Sequence, residues 1–421
     1  MSEPRTEALN EALLDGAWGT VVEEFLADLL DGDEDARRAA EGARRSLRLP
    51  AEFGDLHDAA LRAIDRVTRS APAVVATFPG VARALHGVII AEVLADRLSH
   101  RTSPPGDLDP IGRFVADALD YFGVLSATHV EGQAVSHGIV IVTDHRGLIP
   151  PHPPVPYPGR LPSRKRTPLL FDGTQSVLLV TTEGHAVASI GRHSLPQDGP
   201  HATRIDLFDA FPGIDGALTA AASKAFCGVG VYLRADRTVW VFDDGKPIFM
   251  RRASRWKSIA IESFTRTIAS LGSTDSDDVA ELIAHASLRT SMQGHGAIFA
   301  IADSAAVLDG VVQAKDRYPE PFSSAPLHSV DDELHQLVSR DEMHTPSALA
   351  LLARIDGATI VDTAGDLLAY GAIVQSENSR GEGARAAAAR TLSRTVNLAM
   401  TVSQDGPITV FHRGEVALEL L

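Results

Sequence analysis

The chain has a single cysteine, Cys227, among its 421 residues. One cysteine cannot form an intramolecular disulfide or a zinc site built from several cysteines. Positive charge is also scarce, and the formal net charge of -16 opposes broad contact with nucleic-acid backbones, which depends on lysine and arginine. We therefore expect no nucleic-acid partner. A mononucleotide is still compatible with this charge, because it needs only a few backbone N–H groups and one or two cations.

Long apolar runs are absent as well. The apolar run at residues 87–91 stops at Glu92, far short of the roughly 20 apolar residues that span a bilayer. Residues 1–7 include acidic side chains and lack the basic-then-apolar order of a signal peptide. Together with the single cysteine, these absences predict a cytoplasmic protein with no membrane partner.

The patterns that are present divide the chain into three predicted domains. Apolar residues recur at helical spacing at the start of the chain, which predicts a helical N-terminal region over residues 1–130. Short β-branched runs then predict an α/β or α+β middle domain over residues 131–255, with a three-stranded meander from 229 to 250. Strands alternate with helices over residues 256–421, which predicts an α/β domain with a mixed central sheet flanked by helices. This last domain is expected to begin with a helix-rich stretch at Trp256.

An aspartate at the start of a strand is the first candidate for chemistry. The tripeptide Asp-Gly-Ala begins at Asp15, Asp215 and Asp356, so it identifies nothing by itself. The first two copies stand at predicted helix borders, where aspartate and glycine act as ordinary capping residues. Only Asp356 stands at the mouth of a β-branched strand, which makes it the candidate of interest.

The second candidate is the glycine-rich helix start at residues 381–385. Gly383 permits close approach of a ligand to the backbone, the helix offers unpaired N–H groups, and Arg385 adds a positive charge. These properties suit a phosphate, although Gly383 could equally begin a solvent-exposed helix. We expect Asp356 and Gly383 to converge in one site.

Taken in order, these elements resemble the diadenylate cyclase domain over roughly residues 256–421. The matching segments are Gly296-Ala297-Ile298-Phe299 as the first strand, Ile355-Asp356-Gly357-Ala358 as the second, residues 383–389 as the helix start, Leu392-Ser393 after it, and residues 402–406 as the closing hairpin. The residues before this domain are similar, mainly in their order, to the sensor region that precedes the cyclase domain in some members.

The resemblance implies condensation of two ATP molecules into cyclic di-AMP, with release of two pyrophosphates and dependence on Mg²⁺ or Mn²⁺. Two domains must face each other in that reaction, so it also implies a homo-oligomer with facing C-terminal domains. Asp356 would be the catalytic and metal-binding residue. The nucleotide-binding residues would be Gly357, Ala358, Gly383, Ala384, Arg385, Ser393 and Ser403.

Three positions depart from the family pattern. Ala386 and Ala387 stand where the family has histidine and arginine, and Gln404 stands where it usually has glutamate. Two further hypotheses therefore accompany the cyclase: a nucleotide-binding sensor that has lost turnover, and an interaction scaffold whose cyclase-like domain only dimerises.

Overall fold

The described part of the chain forms two compact units, with the boundary between Ile259 and Ala260. The computed structural model describes residues 81–101, 108–130, 132–143, 155–158, 166–191, 194–195, 216–252, 255–259, 261–313, 316–318, 345–374, 383–404 and 406–420. Helices and mixed sheets in both units confirm the predicted α/β class. Most of the predicted N-terminal helical region lies outside the described residues.

The helices of the N-terminal unit are α1 (Val81–Arg101), α2 (Leu108–Ser126), α3 (Arg166–Leu170) and α4 (Ala217–Ala225). The spacing in α1 places Ile90, Leu94 and Leu98 on one face, and all three side chains are fully buried. Helices α1 and α2 pack against each other. None of the described helices in either unit is long and apolar enough to cross a membrane.

The N-terminal unit contains an eight-stranded sheet with the order β10-β9-β8-β7-β3-β5-β6-β4. Its strands are β3 (His137–Val142), β4 (Val155–Pro156), β5 (Ser176–Thr181), β6 (His185–Gly191), β7 (Val229–Leu233), β8 (Val239–Asp243), β9 (Lys246–Arg252) and β10 (Arg255–Ser258). A separate ribbon pairs β1 (His129–Val130) with β2 (Gln133–Ala134). Strands β3, β7 and β8 are buried along their whole length, as continuous apolar runs predict. The predicted meander is confirmed as β7-β8-β9.

Trp256 corrects the predicted domain boundary. It lies in β10, not in a helix, and pairs with Arg251 of β9, so it belongs to the N-terminal unit. The described helices of the predicted helical region, α1 and α2, fall in the same unit as the middle sheet. The described residues therefore form two units where three domains were predicted.

His137 in β3 makes the stability of the N-terminal unit sensitive to acid. Its Nδ1 lies 2.9 Å from the carbonyl oxygen of Phe171, which can only accept, so Nδ1 carries the proton and Nε2 accepts from the Tyr157 hydroxyl at 3.1 Å. Burial lowers the pKa of His137 to about 4. An unfolded histidine has a pKa near 6.5, so between these values the unfolded chain binds a proton that the folded chain does not.

The free energy of unfolding is therefore expected to fall as the pH is lowered from about 6.5 to 4, by up to about 3 kcal/mol from this residue. Urea unfolding of the wild type and of His137→Gln at both ends of this range measures the effect. The glutamine variant should lose less stability on acidification, because it has no proton to take up. An equal loss in both proteins would contradict the assignment.

The C-terminal unit is a six-stranded mixed sheet with the order β13-β12-β11-β14-β15-β16. Its strands are β11 (Ala297–Ala302), β12 (Ala358–Asp362), β13 (Leu367–Ala372), β14 (Leu398–Val402), β15 (Ile408–His412) and β16 (Glu415–Leu420). Its helices are α5 (Ile261–Gly272), α6 (Asp277–Met292), α7 (Pro346–Leu352) and α8 (Ala384–Leu392). Only β11 and β12 are parallel; the other paired strands described here are antiparallel.

Both faces of this sheet are covered at its centre. Ile298 and Ala300 of β11 share a core with Ala389 and Leu392 of α8. Phe299, which alternates with them along the strand, is also fully buried. Helix α6 packs against β11, β14 and β15. The predicted mixed sheet flanked by helices is confirmed.

Candidate functional site

The strand register brings three predicted segments to one edge of the C-terminal sheet. Strands β11 and β12 run parallel with Ile298 beside Ala358. Gly296 and Asp356, which come just before these residues, therefore lie at the same edge. Strand β14 runs antiparallel to β11 and pairs Val402 with Ala297, so Ser403 follows at that edge too.

The start of α8 reaches the same edge through Arg385. A Cβ atom placed on Gly296 would lie 2.3 Å from Nη1 of Arg385 and 2.7 Å from its Cζ. The guanidinium therefore lies directly against the backbone of Gly296, in space that only a glycine leaves open. Gly383, the N-cap of α8, has open space where a side chain would be. The helix start is thus accessible, and a cation lies beside it.

The two charged side chains at this edge have no protein partner among the described residues. Asp356 and Arg385 are both exposed, and neither forms a hydrogen bond or ion pair with any residue that the structure describes. The first N–H groups of α8, at residues 384–386, have no acceptor within the helix. A phosphate could accept from these groups and pair with the guanidinium.

Gly357 fixes the turn that presents Asp356. Its φ is 122°, and an added Cβ would lie 2.3 Å from the carbonyl carbon of Gly371 in the neighbouring strand β13. That obstacle is backbone, which cannot move aside as a flexible side chain does. Gly357 is therefore a structural requirement of the β12–β13 hairpin as well as part of a candidate site.

Gly357→Ala is expected to lower the free energy of unfolding of the C-terminal unit by about 2–4 kcal/mol, because it adds both backbone strain and a steric clash. Gly383→Ser is the control: φ at Gly383 is -66°, a side chain has room there, and serine is a preferred N-cap. Denaturant unfolding of both variants checks the difference. Equal midpoints would contradict this account of the turn.

Ser393, predicted to bind nucleotide, does not lie at this edge. It is the C-cap of α8, at the opposite end of a nine-residue helix that is about 13 Å long. Its hydroxyl donates to the carbonyl of Arg390 at 2.9 Å and accepts from the N–H of Gly414 at 3.0 Å. Ser393 therefore anchors the turn between β15 and β16, and its role in nucleotide binding stays a prediction.

The other predicted residues divide into backbone and surface positions. Ala358 is fully buried in β12 and contributes only backbone, whereas Ala384 is exposed in the first turn of α8. Ala387 is 2% exposed, so the position at which the diadenylate cyclases have an arginine is buried here. Gln404 is exposed next to Ser403. The first turn of α8 therefore supplies one cation.

No protein-family model matches this chain, and no curated protein matches it. The case for the site therefore depends on its geometry.

The donors at this edge fit a divalent ion that enters with a nucleotide. No cluster of three or more histidine, cysteine, aspartate or glutamate side chains suited to a metal occurs among the described residues. Mg²⁺ is commonly held by one or two carboxylates together with substrate phosphates. Asp356, exposed and unpartnered within the described chain, can supply one such carboxylate for Mg²⁺ or Mn²⁺.

The contact between Gly296 and Arg385 is the feature that sequence reasoning missed. Each residue was noted within its own segment, but nothing in the sequence predicted that one covers the other. The available signal was a glycine directly before a fully buried strand, since such a glycine often marks a close approach by another group.

Proposed function

We propose that the C-terminal unit binds ATP at this edge and condenses two ATP molecules into cyclic di-AMP, in the manner of the diadenylate cyclases that it resembles. The observation that supports the proposal is the guanidinium of Arg385, exposed and held against Gly296 at the edge that also presents Asp356. A cation and a carboxylate that do not pair with each other are suited to a triphosphate and its divalent ion.

Each group has a defined task in the proposed reaction. Arg385 and the first N–H groups of α8 bind and orient phosphate oxygens. Asp356 would hold Mg²⁺ or Mn²⁺ beside them, and the ion would neutralise charge on the phosphates. Each of the two 3′-hydroxyls loses its proton to solvent and attacks the α-phosphorus of the other nucleotide, and two pyrophosphates leave. The site of one domain must face that of a second domain, and the N-terminal region would regulate the reaction as a sensor.

The buried Ala387 favours a second candidate, a nucleotide-binding sensor without turnover. Ala387 does not supply the cation of the family's arginine, Ala386 lacks the imidazole of its histidine, and Gln404 lacks the negative charge of its glutamate. Loss of one such contact in the transition state can cost about 100–1000-fold in rate. Binding would survive such losses better than catalysis, because ground-state affinity depends on many contacts.

The decisive experiment incubates the purified chain with ATP and either Mg²⁺ or Mn²⁺ and searches for cyclic di-AMP by mass spectrometry. Calorimetry with a non-hydrolysable ATP analogue runs in parallel. Product supports the cyclase, and binding without product supports the sensor. If the chain neither binds the analogue nor forms product, the proposal is overturned.

A further inference from the structure

We infer that the two units are copies of one fold, and that the N-terminal copy fills its equivalent of the ligand edge with its own chain. The strand order β9-β8-β7-β3-β5-β6 matches β16-β15-β14-β11-β12-β13. Among the described strands, the one parallel pair of each sheet is β3 with β5 and β11 with β12. Helices α4 and α8 each precede the corresponding meander.

The two meanders agree in the position of a bulge and in the turn that follows it. The β-bulge between Val241 and Phe242 corresponds to the bulge between Val410 and Phe411, the same two residue types. The turn that follows has two successive residues with positive φ in each copy: Asp244 and Gly245 at 49° and 78°, Arg413 and Gly414 at 52° and 84°.

The hairpins agree as well. The register shifts between Leu179 and Val180 of β5, where β6 has the extra residue, and between Ile360 and Val361 of β12, where β13 has it. The β12–β13 pair has one more shift, between Ala358 and Ile360, without a counterpart in the N-terminal copy. Each hairpin then turns at a positive-φ glycine, Gly184 at 78° and Gly365 at 91°. Bulges and their positions persist within families. Two matching bulges and two matching turns therefore favour duplication over independent arrival at one strand order.

A serine hydroxyl makes the same contact in both copies. Ser223 of α4 accepts from the N–H of Gly245 at 3.1 Å, and Ser393 of α8 accepts from the N–H of Gly414 at 3.0 Å. This shared anchor is the structural role of Ser393.

The charged residues of the candidate site are absent from the N-terminal copy. Alignment of the N-caps Gly216 and Gly383 places Leu218 at the position of Arg385, and alignment of Ser223 with Ser393 places Asp215 there. Counting back from the matching register shifts places Gln175 where the other copy has Asp356. Neither alignment gives this copy a cation at the position of Arg385, and Gln175 lacks the carboxylate of Asp356.

The loop at residues 171–173 occupies the equivalent edge. The carbonyl of Phe171 accepts from the N–H of Gly138 at 2.9 Å, and the carbonyl of Gly173 accepts from the Thr219 hydroxyl at 3.2 Å. A Cβ on Gly138 would lie 2.4 Å from Cα of Gly173. The loop thus sits between the start of β3 and the start of α4. The strand pairing makes Gly138 the counterpart of Ile298, so the loop lies two residues along the strand from the level at which the other copy has Arg385 against Gly296.

With the N-terminal edge filled, each chain has one nucleotide site. A condensation that needs two sites must therefore take the second from another copy of the chain. This step rests on the proposed function. The partner it requires is a second C-terminal unit, because the 171–173 loop covers the equivalent edge in the part of the N-terminal copy that the structure describes.

Calorimetric titration of the full chain with a non-hydrolysable ATP analogue and Mg²⁺ tests the inference. We expect one nucleotide per chain, at least about tenfold weaker in Arg385→Ala and unchanged in Thr219→Val. If the chain binds two nucleotides, or if Thr219→Val weakens binding and Arg385→Ala does not, the inference is overturned while the proposed nucleotide binding stands. If the chain binds no nucleotide at all, both the proposed function and the single site are overturned.

Discussion

Arg385→Ala is expected to weaken ATP binding by about 1.5–3 kcal/mol, which is about a 10- to 150-fold loss of affinity. The guanidinium is exposed, lies against Gly296, and has no carboxylate partner among the described residues, so little of its charge is neutralised before a ligand arrives. Ala386 and Ala387 follow it, so the first turn of α8 has no second cation to replace it. Calorimetry with a non-hydrolysable ATP analogue measures the change.

Arg413→Asn is the matched control for this variant. Arg413 is also exposed, but it lies in the turn after β15, where its N–H donates to the carbonyl of Ser393 at the far end of α8. Asparagine tolerates its positive φ of 52° better than most residues do. The control should keep wild-type affinity. An unchanged dissociation constant in Arg385→Ala would count against the assigned phosphate site.

The sequence predicts best those strands whose own residues determine their burial. Strands β3, β5 and β11 are β-branched or apolar runs, and the turns of the meander carry Asp and Gly, so local chemistry suffices. Strand β10 alternates charged residues with Trp256 and was misread as the approach to a helix. Its strand character comes from pairing with β9, which is a tertiary contact.

The site could be predicted only in part, for a similar reason. Asp356 and Gly383 were found from their own turn and cap chemistry. The meeting of Gly296 with Arg385 joins two segments far apart in the chain, and no local pattern encodes it. Ser393 lies at the other end of α8 from Gly383, because a resemblance in the order of segments does not take the rise of the helix into account.

The duplication escaped sequence reasoning because the copies share geometry more than residue identity. Val241 and Phe242 match Val410 and Phe411, but neither alignment of α4 with α8 puts an arginine at the position of Arg385. Register, bulges and positive-φ turns became comparable only once the strands were paired.

If the C-terminal unit turns over, Asp356→Asn is expected to lower cyclic di-AMP formation by about 100-fold or more while ATP affinity changes by less than about threefold. Asparagine keeps the shape of the side chain and removes its negative charge. The lost carboxylate matters most when charge develops on the attacking and leaving oxygens, whereas ground-state affinity also draws on Arg385 and the N–H groups of α8. Mass spectrometry of the product and calorimetry of the ATP analogue separate the two effects.

Asp278→Asn provides the comparison. Asp278 is an exposed aspartate in the first turn of α6, at the opposite end of that helix from the turn that leads into Gly296. The Asp278→Asn variant should keep the wild-type product formation and ATP affinity, since it loses only a favourable interaction with the helix dipole. If the wild type binds ATP but forms no product with either metal, and Asp356→Asn binds equally well, the carboxylate has no role in turnover. The C-terminal unit is then a nucleotide sensor, in which Arg385 holds phosphate without turnover.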